Sequence, residues 1–117
     1  MGLTYIEGTV SGVTGVNEPV MFLVDSGATY TLLPKEVWQR LGLTATEQMD
    51  FVLADGTKIT RSISECLIRL QQRERHTPVI LGEEGDEALL GVVTLEILGL
   101  VLNPFNRTLQ PMRMMLA

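Results

Sequence analysis

The chain has 117 residues, 45% of them apolar and 20% charged, which suits one globular domain and leaves no room for two independent cores. Its 9 basic residues stand against 14 acidic ones, and the resulting net charge of −5 argues against a nucleic-acid or anionic-membrane surface. One cysteine (Cys66) and one histidine (His76) can make neither an internal disulfide nor a zinc site.

In chain order, residues 4–10 alternate with period two, as a half-buried strand does, and SGVTGVNEP supplies turn residues after them. Residues 20–24 are continuously apolar, the pattern of a strand covered on both faces. That strand runs directly into Asp25-Ser26-Gly27-Ala28, placing a carboxylate at the end of a core-directed segment. Tyr30 reads as packing rather than as the wall of a pocket. Pro34 starts a short helix whose Val37, Trp38 and Leu41 share a face, with Gly42 just past its end.

Residues 49–63 form a hairpin turning at Asp55-Gly56. Strands at 65–70 and 78–81 follow, separated by the polar turn QQRERH, which puts His76 on the surface. Cys66 reads as a small buried hydrophobe. The acidic stretch at 83–87 is a solvated loop. Thr94 caps one or two helical turns that Gly99 ends. The densest apolar region, 88–102, is broken by Gly91, Glu96 and Gly99, so no bilayer-spanning segment is expected. A hairpin-like pattern surrounds Asn103-Pro104. The apolar tail at 112–117 reads either as a frayed end or core filler, or as an interface strand.

Many short strands at roughly 8–12-residue spacing, with two short helices, predict a mostly-β single domain over 1–117, a small sandwich or barrel. No basic, apolar leader precedes the first strand, and a cytoplasmic location is the default expectation.

Three features stand in order: the apolar strand ending in Asp25-Ser26-Gly27-Ala28, the hairpin with its Asp55-Gly56 tip, and Leu89-Leu90-Gly91 before a short helix. In this order they resemble the retropepsin-like aspartic proteases, single-domain relatives of pepsin, and most of all their small bacterial and archaeal members. The resemblance implies a small closed β-barrel or sandwich of that type. It makes Asp25 the catalytic aspartate, with Ser26, Gly27 and Ala28 supporting the active-site loop. It makes the hairpin a flap whose tip, Leu53, Ala54, Asp55, Gly56 and Thr57, closes over substrate. Leu89, Leu90 and Gly91 become the element packed beneath the loop. It also implies a homodimer acting on an extended peptide or protein substrate, with no cofactor and no metal.

Chemistry points the same way. Peptide hydrolysis by carboxyl groups needs one base and one acid, and a single Asp-Ser-Gly supplies only one carboxyl. A twofold homodimer would bring Asp25 against its symmetry mate. Pairing Asp25 with Asp55 inside one chain is disfavoured, because Asp55-Gly56 belongs at an exposed turn. Val92 and Val93 stand where retroviral members carry polar residues near the dimer interface. The alternative reading is therefore a catalytically weak or inactive peptide-binding or dimerisation module of the same fold, in which Asp25 is a turn aspartate bonding nearby amides.

Overall fold

The computed structural model describes residues 3–113. The first two strands, β1 (Tyr5–Ser11) and β2 (Asn17–Val24), form an antiparallel hairpin. A short strand follows, β3 (Thr31–Leu33), and then the helix α1 (Lys35–Arg40). Next come β4 (Glu47–Val52), β5 (Lys58–Leu70) and β6 (Arg73–Leu81), joined as successive antiparallel hairpins. The last elements are β7 (Leu89–Leu90), α2 (Val92–Leu98), β8 (Leu100–Asn103) and β9 (Thr108–Pro111). Among the described residues no helix is long and apolar enough to cross a membrane.

Seven strands lie in the order β1-β2-β7-β3-β6-β5-β4, and β1 also pairs with β5. That second pairing, Thr9↔Arg69 through Ser11↔Leu67, closes the first six strands into a ring, with β4 hanging outside it from β5. The ring is filled by Val10, Phe22, Leu33, Ile68, Val79 and Leu90, all fully buried. Closure suits this small domain because it leaves few unpaired strand edges. The separate β8–β9 hairpin is docked by Leu100 and Leu109 and by Gln71 of the β5–β6 turn, whose Nε2 donates to the Leu109 carbonyl. Arg73, the first residue of β6, donates from Nη1 to the carbonyls of Leu98 and Gly99 at the end of α2.

The mostly-β fold with two short helices is as expected, with five local corrections. β3 is a strand the sequence reading did not assign. β5 and β6 run nearly to each other, so only Gln71 and Gln72 turn and His76 lies in a strand, still exposed. β5 is also longer than two separate pieces, running unbroken from the 49–63 hairpin into the ring. Thr94 does not cap α2. The helix begins after Gly91, and Thr94 is fully buried within it. Pro34 precedes α1 rather than opening it, while Gly42 (φ 71°) and Gly99 (φ 69°) stand in the left-handed conformation that ends each helix. Of the tail, residues 114–117 lie outside the described ones; Met112 donates its N–H to the Gly99 carbonyl at 2.7 Å.

Candidate active site

β2 enters the ring because its even-numbered side chains, Val20 and Phe22, are core, and it ends where the chain turns outward at Asp25. Asp25 is half-buried, while Ser26 and Gly27 are exposed. The loop is tied by its own backbone: the Ala28 N–H donates to the Asp25 carbonyl at 3.1 Å, and the Gly27 N–H donates to Asp25 Oδ1 at 2.9 Å. One carboxylate oxygen is thus oriented by a backbone amide, and Gly27 brings that amide close without a side chain.

Beneath the loop lies β7. It is parallel to β2 (Leu23↔Leu89, Val24↔Leu90) and antiparallel to β3 (Leu32↔Leu89), so it wedges between the strands on either side of the loop. The Asp25 N–H donates to the Leu90 carbonyl at 3.1 Å. Two and three residues on, Val92 and Val93 donate to the carbonyls of Ala28 and Thr29 at 2.9 and 3.0 Å. Gly91 makes this approach possible, since a Cβ there would stand 2.5–2.8 Å from backbone atoms of Thr29 and Tyr30. The structure therefore joins Asp25-Ser26-Gly27-Ala28 to Leu89-Leu90-Gly91 directly.

A buried hydroxyl chain stiffens the same junction. The Gly91 N–H donates to Thr31 Oγ1 at 3.0 Å, Thr31 donates to Thr94 Oγ1 at 2.6 Å, and Thr94 and Thr77 Oγ1 lie 2.9 Å apart. With Thr94 accepting from Thr31, its own proton goes to Thr77, which reaches the Pro78 carbonyl at 3.3 Å. Every member is satisfied, the condition under which a buried polar network rigidifies its surroundings. Sequence reading missed it because threonine in a strand is also ordinary β-propensity; only the pairing of β3 with β6 and the position of α2 bring the three together.

A groove of about 290 Å³ runs between the loop and the β4–β5 hairpin, lined by Ala28, Tyr30, Leu32, Phe51, Leu53 and Ile59 among others. Tyr30 is a groove wall, contrary to the expectation of mere packing, and meets Phe51 edge-on with ring centroids 6.0 Å apart. Of the hairpin-tip residues, Leu53 reaches the groove, whereas Ala54, Asp55, Gly56 and Thr57 do not line it. The tip is a tight turn, with the Gly56 N–H on the Leu53 carbonyl at 2.9 Å and Gly56 at φ 87°. Asp55 Oδ1 accepts the Thr57 N–H at 2.9 Å, and hydrogen bonds to Thr57 hold its carboxyl below the usual carboxylate range. Asp55 is thus engaged in its own turn. Arg61, which sequence reading passed over, also lines the groove.

A family model described as "gag-polyprotein putative aspartyl protease" matches residues 11–96. The retropepsin-like aspartic protease from Rickettsia conorii is 26% identical, with 81% of this chain and 70% of that one covered and a TM-score of 0.56. The simian foamy virus (mac) protease is 18% identical over 79% of this chain and 91% of its own, with a TM-score of 0.57. The prototype foamy virus protease–reverse transcriptase is 16% identical over 97% of this chain and 12% of its own, with a TM-score of 0.55. At these identities the two foamy virus structures speak for the fold alone. No curated protein matches the sequence. A family match over most of the chain, on a ring of strands that the Rickettsia enzyme shares, makes this chain a member of the gag-polyprotein aspartyl protease family with the retropepsin-like fold.

Proposed function

We propose that the chain is an aspartic endopeptidase assembled as a homodimer, with two Asp25 carboxyls meeting at the twofold axis. One observation carries this reading. Asp25 is half-buried and aimed by the Gly27 amide, on a loop fixed from below by Leu90 and Gly91 and open beside an apolar groove. The Gly27 bond is one that a turn aspartate also makes, as Asp55 does with Thr57; the seating of the loop on Leu90 and Gly91 beside the groove is what a turn alone would not need.

Two carboxyls at close range share one proton, since both cannot ionise there, as is general for aspartic-protease dyads. The ionised member takes a proton from water as the water oxygen attacks the scissile carbonyl carbon, and the protonated member gives its proton to the carbonyl oxygen. Collapse of the tetrahedral adduct then breaks the C–N bond as the amine nitrogen receives the proton taken from water. One hydroxyl of the adduct returns its proton to the other carboxylate, leaving a carboxylic acid and the singly protonated pair. The substrate lies as an added strand below the β4–β5 hairpin, which acts as the flap, and alternate side chains enter the groove. The rate is bell-shaped in pH, because both fully protonated and fully ionised pairs are idle.

Asp25→Asn is expected to abolish cleavage of a peptide library, by at least about a thousandfold, with the thermal melt unchanged. Cleavage at the parent rate would end the proposal. A second reading, a binding module without hydrolysis, draws on the apolar Val92-Val93 at the head of α2, both half-buried. A chain that stays monomeric and binds peptides without cutting them would establish it.

A further inference from the structure

β5 presents Ile59, Arg61 and Ile63 on one face as it leaves the hairpin tip, and the β4 residues opposite the first two are Phe51 and Met49. Arg61 is therefore a charge set into an apolar stripe. Its side chain is only 20% exposed. It lines both the groove beside the Asp25 loop and a larger cavity of about 660 Å³ reaching Lys35, Trp38 and Glu84.

A guanidinium offers five N–H donors in a planar fork matched to a carboxylate. Among the described residues its ionic partner is Glu83, a side chain 71% exposed. The Glu83 side chain is not needed to hold its turn. That is done by the Glu83 N–H on Asp86 Oδ2 at 2.7 Å and the Asp86 N–H on the Glu83 carbonyl at 3.0 Å. Glu83 can swing into water at little cost, whereas Arg61 cannot, and a largely buried cation left without a carboxylate is expensive. Asp86, the acid that lines the groove, has Oδ2 committed to that turn.

We propose that Arg61 selects peptides carrying an Asp or Glu side chain beside apolar residues, and that Glu83 holds the guanidinium until such a peptide displaces it. This rests on the groove being the peptide site proposed above. Leu32, Phe51, Ile59 and Ile80 supply apolar walls, and Arg61 supplies the cation. The net charge of −5 opposes an acidic ligand at long range, so the preference shows in dissociation rather than in association.

The test titrates peptides with Glu or Gln scanned along an apolar sequence against the full-length Asp25→Asn variant, by fluorescence anisotropy. Binding needs no turnover, so the readout survives if hydrolysis does not occur. At one position the Glu peptide should bind about tenfold tighter than its Gln twin. Glu83→Gln should widen that ratio, and Arg61→Met should collapse it to about one. If peptides bind with no Glu preference at any position, or if Arg61→Met keeps the preference, this inference falls and the peptide site stands. If no peptide binds at all, both fall. Should Arg61→Met fail to fold, Glu83→Gln decides, and an unwidened ratio overturns the proposal.

Discussion

Cys66 shows how a single side chain records its place in the ring. It is 3% exposed on β5, and burial, with a smaller push from the charge of Glu65, raises its thiol from 9.0 to about 12. The folded chain keeps the proton until about pH 12, while the unfolded chain releases it near pH 9. The stabilising difference is thus complete below pH 9 and is lost as pH rises from there toward 12, at about 1.4 kcal/mol per pH unit. Urea unfolding at pH 8 and pH 10 checks this. The parent should lose on the order of 1 kcal/mol more over that interval than Cys66→Ala does. Equal losses would mean that the thiol is not protected. Asp25 differs in that it is left within reach of solvent, and the reason lies in what surrounds it rather than in the residue itself.

At the scale of elements, the junction of β3, β6, β7 and α2 is where packing and polar bonding meet. Thr31→Val preserves shape but leaves the buried Gly91 N–H without an acceptor and Thr94 without its donor. The expected cost is about 1–3 kcal/mol in denaturant unfolding, more than a surface threonine would show. A loss no larger than that of an exposed control such as Thr44→Val would mean that the hydroxyl chain adds nothing.

The elements that carry strong local signals were legible in the sequence, namely the apolar β2 running into Asp25 and the Asp55-Gly56 turn, while Leu89-Leu90-Gly91 stood out only through the family resemblance. β3 was hidden because three residues hold no periodicity, and β7 is a strand only by virtue of its neighbours. Thr94 looked like a helix cap because capping chemistry and buried hydroxyl chemistry use the same residue. Arg61 was passed over, since the face it occupies depends on β5 showing one side to the groove and, past Ile63, the other to the core.

For the whole molecule, the proposed mechanism requires two chains. Specific activity should rise with protein concentration across the range where sedimentation shows dimer forming. Adding a large excess of Asp25→Asn subunits should suppress the parent's rate by more than dilution does, because mixed pairs lack one carboxyl. A rate per chain indifferent to both would mean that one chain suffices.

The wedge of β7 between β2 and β3 has a consequence for biosynthesis. The loop bearing Asp25 is seated by residues from the last third of the sequence, so no amino-terminal fragment can hold it in shape. Contacts so distant along the chain form late and slowly. While the ribosome is still at work, the aspartate emerges well before its support, and the loop is fixed only after residues 89–93 have followed it.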